Sequence, residues 1–196
     1  MIDLAPILAK FPPVKHDAAA NALIVPQALA LEVAKWLRDD PAYRMDYASN
    51  VAGVDTLPVE KKTKVKQPDG TDKEIVTKKP GSMEVVYHLY SMALKHGPIT
   101  IKQVTTRENP VVTSLTPIYR GAEFQEREAF DLYGIQFEGH PDLRRILMWD
   151  EFKDFPMRKD YVEPDDYEYE PTPHDAVLAK AKAHYPKAST STEAAS

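Results

Sequence analysis

The residues best suited to acid–base chemistry lie around His140. A histidine oriented by a carboxylate is a common general acid or base, and Asp142 and Glu128 are the nearest candidates in sequence. His140 lies between Gly139 and Pro141, in a predicted tight turn where an imidazole more often bonds backbone or carboxylate groups. The pattern therefore favours a structural histidine, and a proton-transferring enzyme is the minor alternative.

Other classes of catalytic and binding site lack the residues they need. The chain has no Cys, which excludes disulfides, thiolate nucleophiles and cysteine-ligated iron–sulfur clusters. Its six His lack HExxH spacing, and none of its seven Gly forms a phosphate-binding loop, so neither a metal site nor NADH binding is supported. The net charge of -5 gives no general attraction to nucleic acid. We expect this chain to bind no metal, cofactor or nucleic acid.

The densest group of charged residues spans 126–147, EREAFDLYGIQFEGHPDLRRIL, and continues in FPMRKDY at 155–161. Arg127 and Asp131 have the i, i+4 spacing of a helical ion pair. Cations further along the chain could reach four acids, most of them on this helix, and so join the helix to the segment that follows. Ion pairs of this kind fix geometry more reliably than they add stability, which favours a structural or interface role. The cations are Arg144, Arg145, Arg158 and Lys159, and the acids are Glu126, Glu128, Asp131 and Asp142.

The elements that must position these residues form an α+β pattern, an antiparallel sheet packed on helices. Apolar residues at helical spacing predict helices over 2–11, 26–38, 114–119 and 123–133, the last ending at Gly134. Alternation predicts strands over 22–25, 43–48 and 83–92, and an antiparallel hairpin over 83–105. Residues 59–80, with seven Lys against four acids, indicate a solvated loop or a flexible hairpin.

From residue 139 onward prolines recur and apolar periodicity fades. We therefore expect a globular domain over 1–138 and an extended partner-binding tail over 139–196, with about the last ten residues disordered. No apolar run is long enough for a membrane helix, and no secretory signal is evident, so a cytosol-facing protein held at a membrane only through partners is expected.

The charged segment resembles the defining motif of the 30 kDa subunit family of respiratory complex I, the NADH:quinone oxidoreductase. The resemblance covers about residues 20–162 and rests on the ERE, GHPDLRRIL and RKDY runs, preceded by LIVP, VVYHLYS and NPVVTSLTPIY. The matching positions, taken as a structural and interface motif, are Glu126, Arg127, Glu128, Asp131, Gly134, His140, Pro141, Asp142, Arg144, Arg145, Arg158, Lys159, Asp160 and Tyr161.

This resemblance implies a cofactor-free structural subunit of the peripheral arm, on the cytoplasmic face of a bacterial inner membrane or on the matrix side in mitochondria. Implied partners are the 49 kDa-type subunit, along which the tail lies, and the iron–sulfur subunits of the quinone module. FMN, Fe–S clusters and quinone would belong to partner subunits. An equivalent subunit of a related membrane-bound hydrogenase or another quinone-reducing complex stays open.

Overall fold

The structure, a computed structural model that describes residues 2–66 and 72–162, combines three helices with nine strands in that part of the chain. The helices are α1 (Ala5–Lys10), α2 (Ala30–Asp39) and α3 (Glu123–Tyr133), with 3-10 turns at Gln27–Leu29 and Arg120–Ala122. The strands are β1 (Lys15–Asp17), β2 (Ala22–Ile24), β3 (Tyr47–Thr56), β4 (Val59–Lys66), β5 (Asp72–Lys79), β6 (Ser82–Ser91), β7 (His96–Thr106), β8 (Val111–Thr113) and β9 (Gln136–Glu138). The predicted α+β class is confirmed.

The central sheet has the strand order β1-β2-β7-β6-β3. β6 and β7 form the antiparallel hairpin that the sequence predicted, paired from Ser82 opposite Thr106 to Ser91 opposite His96 with a register shift between Leu89 and Ser91. β3 adds to β6 in antiparallel fashion, and β2 joins β7 in parallel. β3 is therefore an outer strand of this sheet, with β6 on one side.

One face of the sheet is fully buried and the other is partly open to solvent. On β6, Met83, Val85, Tyr87 and Leu89 are inaccessible, whereas the alternating Glu84, His88 and Tyr90 are partly exposed. The buried face shares one hydrophobic core with the apolar stripe of α2, which is Val33, Ala34 and Leu37. This two-layer arrangement follows from the period-2 and period-3.6 patterns of the two elements.

The strand predicted over residues 43–48 is wrong for most of its length. Residues 43–46 form an irregular loop, and the strand begins only at Tyr47. Arg44 has a left-handed backbone with φ 43°, and the Met45 N–H donates to the carbonyl of Leu37. Tyr43 and Met45 are buried because this loop folds back onto the end of α2, so their alternation reflects loop packing and not a ladder.

The helix predicted over residues 114–119 is also wrong. The segment forms a single turn in which the N–H groups of Ile118 and Tyr119 both donate to the carbonyl of Leu115. Pro117 lacks an N–H, and the side chains of Ser114 and Thr116 bond a carboxylate, so a longer helix is not favoured. By contrast, α3 matches the prediction at both ends and stops at Gly134 with φ 74°.

β4 and β5 form a two-stranded hairpin from Val59 opposite Lys79 to Lys66 opposite Asp72. The charged excursion predicted over 59–80 is thus a hairpin, and its partner, if it has one, stays a prediction. β8 and β9 form a short parallel pair that brings the end of α3 back toward the sheet.

Residues Met1–Tyr161 make up one compact unit. Residues 139–161 thus belong to the same compact unit as the sheet, while the division into 1–138 and 139–196 stays a prediction about partner binding. The predicted disorder of the last ten residues lies outside the described residues. No helix in the described part of the chain is long and apolar enough to span a bilayer.

Candidate functional site

The site is built on α3 and on the segment that follows β9, residues 140–161, which contains turns and bends but no helix or strand. α3 presents three ionisable side chains to the interior: Glu126 and Asp131 have no exposed surface, and Arg127 is 6% exposed. Buried charged groups need compensating hydrogen bonds. Their partners therefore determine how the segment is held.

Asp131 holds the segment through four hydrogen bonds. Its Oδ1 accepts from Arg145 Nη1 at 2.6 Å, and its Oδ2 accepts from the N–H groups of Ile146, Leu147 and Met148 at 3.0, 2.7 and 2.8 Å. Burial opposes ionisation, but the three backbone donors and the guanidinium outweigh it and lower the pKa of Asp131. The carboxylate thus organises three consecutive backbone amides much as an anion site would.

Arg127 contacts the same segment from the preceding turn of α3. Its Nε and Nη2 donate to the carbonyl oxygens of Arg144 and Arg145 at 3.1 and 3.0 Å. The predicted i, i+4 pair of Arg127 with Asp131 is wrong, because each side chain finds its partners on the chain beyond residue 143. Arg127 therefore binds carbonyl oxygens of this segment, and Asp131, on the same helix, binds its amides.

A second buried carboxylate, Asp55 near the end of β3, holds the other end of the segment. Arg107 donates to both Asp55 oxygens at 2.7 and 3.0 Å, and its Nη2 also bonds Asp160 Oδ1 at 2.7 Å. The Lys159 N–H donates to Asp55 Oδ2 at 2.8 Å. Burial raises the pKa of Asp55, but Arg107 and the Lys159 amide more than offset it, so the net shift is downward.

Sequence reasoning placed Lys159 and Asp160 in the motif but missed Asp55 and Arg107. These two lie 52 residues apart, at the ends of β3 and β7. The available signal was Asp55 itself, a carboxylate in an alternating strand, where a buried charge needs a partner. Nothing local identified that partner as Arg107.

Arg158 binds the C-terminal end of α3. Its Nε donates to the carbonyl of Tyr133 at 2.7 Å, and its guanidinium stacks 4.8 Å from the Phe155 ring centroid. Gly134 makes room for this: a Cβ there would lie 2.6 Å from Phe155 and 2.7 Å from Arg158. The Tyr161 N–H donates to the carbonyl of Arg158 and forms the last turn of the segment.

Glu126 is not part of this charge network, contrary to the sequence prediction. Its four hydrogen-bond donors are hydroxyl groups and one amide, not cations. Burial raises the pKa of Glu126 although all four donors act to lower it. The residue ties α3 to the turn at 114–116; its donors are Tyr87 OH at 3.1 Å, Ser114 Oγ at 2.5 Å, Leu115 N at 2.8 Å and Thr116 Oγ1 at 3.1 Å.

His140 uses both ring nitrogens to bond the backbone. Nδ1 accepts from the Asp142 N–H at 3.1 Å, so Nε2 carries the proton and donates to the Glu123 carbonyl at 3.0 Å. The Asp142 carboxylate accepts a hydrogen bond from Arg144 Nε at 2.9 Å, in an exposed ion pair next to Pro141. Glu128 is exposed and forms no salt bridge within the described residues. The acid–base dyad considered from sequence is therefore not assembled.

The segment 140–161 displays apolar side chains to solvent. Leu147 is 57% exposed, Trp149 52% and Met157 52%, and Phe124 on α3 beside Arg127 is 60% exposed. The Trp149 ring packs edge-on against Phe152, with centroids 4.9 Å apart. A segment that exposes several large apolar side chains is a candidate binding face. Within residues 2–66 and 72–162, no group of three His, Asp or Glu side chains could hold a metal.

Comparison with known proteins connects this arrangement to one family. The family model described as respiratory-chain NADH dehydrogenase, 30 Kd subunit, matches residues 23–167. The second C-type subunit of the NADH-quinone oxidoreductase of Rhizobium meliloti is 39% identical over 71% of this chain and 65% of its own length. Its counterpart of the same name in Rhizobium etli is 34% identical over 82% of this chain and 76% of its own length.

The matched stretch thus spans slightly under two thirds of the Rhizobium meliloti relative. Among solved structures, a chain of the membrane-bound sulfane sulfur reductase, an archaeal respiratory membrane complex, superposes with a TM-score of 0.50. That match covers 98% of this chain and 96% of the other, and at 18% identity it shows the fold alone.

Proposed function

This chain belongs to the family of the respiratory-chain NADH dehydrogenase 30 Kd subunit, and we propose from that membership that it is a cofactor-free structural subunit of a proton-translocating NADH:quinone oxidoreductase. In this proposal it lies in the peripheral arm at the cytoplasmic face of a bacterial inner membrane. FMN, Fe–S clusters and quinone are held by partner subunits. Its own contribution to electron transfer is to hold cluster-bearing and quinone-site subunits at a fixed distance.

The observation that carries the proposal is the form of residues 140–161. This segment has no regular secondary structure, yet Asp131 and Asp55 hold it at both ends through buried hydrogen bonds. Ordering an irregular chain costs about 1–2 kcal/mol per residue, so a fixed conformation here needs a specific set of compensating bonds. A surface prepared in this way binds a partner without a further ordering cost.

The exposed side chains indicate where that partner contacts the segment. Leu147 is one of the residues whose amides Asp131 binds, so its position is set by the carboxylate. Trp149, two residues further along the chain, is a second large apolar side chain that is exposed. We propose that these residues contact the 49 kDa-type subunit, and that the iron–sulfur subunits of the quinone module contact other faces of the domain. Residues beyond 161 continue the contact with the 49 kDa-type partner.

The first test is affinity purification of the tagged chain from detergent-solubilised membranes, with partner identification by mass spectrometry and an NADH:quinone assay on the same fraction. Flavin and iron–sulfur subunits recovered with activity support the proposal. Nickel-containing partners point to a hydrogenase-type complex instead. NADH oxidation by the purified chain alone contradicts the structural role.

A pair of matched variants then tests the surface. Leu147→Ser removes an exposed leucine from the segment 140–161, and Leu31→Ser removes one of 39% exposure from α2. Burying a leucine is worth about 1.5–3 kcal/mol, so Leu147→Ser should reduce recovery of the 49 kDa-type subunit about tenfold or more. Equal recovery for both variants contradicts the proposed interface.

Arg145→Ala separates assembly from chemistry. The side chain is 13% exposed, and its loss leaves Asp131 buried with no cation. Complex abundance should fall, while the quinone reductase rate per assembled complex stays the same. Normal abundance with slow electron transfer would contradict the structural assignment.

A further inference from the structure

A cleft of about 230 Å³ lies between the outer strand β3 and helix α3. One wall is four consecutive residues of β3, 50–53. The other wall is formed by α3, chiefly Glu128, Leu132 and Tyr133, and by Met157 of the segment 140–161. A wall of consecutive strand residues means that the cleft exposes the main chain of a sheet edge.

The backbone groups at this edge point into the cleft. The Val51 N–H donates to Gln125 Oε1 at 2.7 Å, so it points away from β6. In an antiparallel ladder, residues two apart along a strand point their N–H and C=O groups to the same side. Gly53 is two residues on, in continuous register opposite Val85, so both of its backbone polar groups also point outward.

Gly53 therefore presents an unused donor and an unused acceptor. Within the described residues neither group has a hydrogen-bond partner, because β3 pairs only with β6 and no turn or side-chain bond reaches Gly53. Gln125 satisfies the neighbouring Val51 amide and limits any added pairing to a short stretch centred on Gly53. An unpaired strand edge beside a helix is the arrangement that receives an extended peptide as an added strand.

The side chains of the cleft favour a basic occupant. Glu128 is the charged residue of the lining, and it forms no salt bridge within the described residues. The pKa of Tyr133 is raised by burial and by the negative charges of Asp55 and Glu128. The ring of Tyr133 lies close enough to the strand that a Cβ on Gly53 would be 2.6 Å from it, which leaves an aromatic floor under the edge.

The volume is below the roughly 300–1,000 Å³ of typical small-molecule pockets, which argues for one inserted side chain and not a free ligand. We infer that a short extended segment of a neighbouring subunit adds to β3 at Gly53 and places a Lys or Arg side chain beside Glu128. This inference rests on the proposed function, since it requires that the chain is assembled with other subunits.

Amide hydrogen exchange tests the backbone part of the inference, with the isolated full chain compared with the purified complex. The Gly53 amide should exchange about tenfold or more slowly in the complex, because a bonded amide exchanges only when the bond opens. The Ala52 amide, which points toward β6, should be protected in both samples. Equal exchange of Gly53 in both samples overturns the inference.

Crosslinking identifies the occupant, and the absence of native Cys makes single-site labelling possible. A photoreactive label on Asn50→Cys in the assembled complex should react with a Lys- or Arg-containing segment of one other subunit. A crosslink to a second copy of this chain, or no crosslink, overturns the inference.

Charge reversal tests the side-chain part. Glu128→Arg should reduce recovery of the crosslinked partner about fivefold or more, since like charges brought together at an interface are strongly unfavourable. Glu32→Arg, on the exposed side of α2, is the matched control and should leave recovery unchanged. Wild-type recovery with Glu128→Arg overturns the basic occupant. If no partner is recovered with the wild-type chain, the proposed function itself fails.

Discussion

Asp131→Asn keeps the size of the side chain and removes its charge at the point where α3 holds residues 145–148. The wild-type carboxylate accepts four hydrogen bonds, one from Arg145 and three from backbone amides. An Asn side chain has one acceptor oxygen and an NH₂ group, so either the guanidinium or the three amides must face a donor. Both orientations leave buried polar groups without a partner.

The magnitude follows from the burial of the pair. Asp131 has no exposed side-chain surface and Arg145 only 13%. Removing one member of such a pair costs about 3–5 kcal/mol, because its partner is left uncompensated. With a urea dependence of about 2 kcal/mol per molar, the midpoint of unfolding should fall by about 2 M.

The two tryptophans give the assay spatial resolution. Trp149 lies next to the amides bound by Asp131, whereas Trp36 is partly buried and packs against the core between Phe11 and Tyr43. In the Trp36→Phe background the fluorescence reports on Trp149, and in the Trp149→Phe background it reports on Trp36. The urea midpoint reported by Trp149 should shift more, because the lost bonds hold its segment. A Trp149 midpoint within about 0.3 M of wild type refutes the reasoning.

An exposed carboxylate provides the control. Asp142→Asn disrupts a pair with Arg144 in which both side chains are about half exposed or more, so neither midpoint should move measurably. A shift equal to that of Asp131→Asn would mean that charge removal itself, and not the buried bonds, is responsible.

The same variant has a defined pH dependence. The pKa of Asp131 is lowered in the folded chain, so its stabilisation is fully present above the ordinary Asp value of about 3.9 and is lost as pH falls through the lowered value. The difference in free energy of unfolding between wild type and Asp131→Asn should be constant above about pH 5 and shrink in more acidic solution. Urea titrations from about pH 3 to about pH 7 measure it.

Two further substitutions test the closing contacts of the segment. Gly134→Ala should destabilise the chain by about 1 kcal/mol or more, since φ is 74° and the new methyl group meets Phe155. Gly139→Ala is the control, because Gly139 has a similar φ but open space around it, and it should destabilise the chain less. Thermal unfolding of the two variants measures the difference. Arg107→Gln leaves Asp55 buried at 1% exposure without its guanidinium and should lower stability by about 3 kcal/mol, and full retention of the urea midpoint would show that the Lys159 amide alone suffices.

Local patterns predicted the elements that local physics determines. The period of α3, its left-handed end at Gly134 and the β6–β7 hairpin each depend on residues a few positions apart, and each was predicted correctly. The sequence also marked the charged residues near His140 as one motif, and their role as an interface stays a prediction. Their grouping on one segment follows from their nearness along the chain.

The partners within the site depended on tertiary structure. Arg127 and Asp131 have the spacing of a helical pair, but buried side chains bond the groups that packing brings to them, and here those groups lie beyond residue 143. Glu126 was expected to meet a cation and instead meets hydroxyl groups of a turn and a strand.

The sequence alone therefore determined the α+β class, the end of α3 and the region where charged groups concentrate. Only the tertiary structure decided that Asp55 and Arg107, 52 residues apart, hold the end of that region, and that the edge of β3 faces a cleft. The physical reason is that periodicity is set by bonds between near neighbours, whereas the choice among several chemically suitable partners is made by which strands and helices pack together.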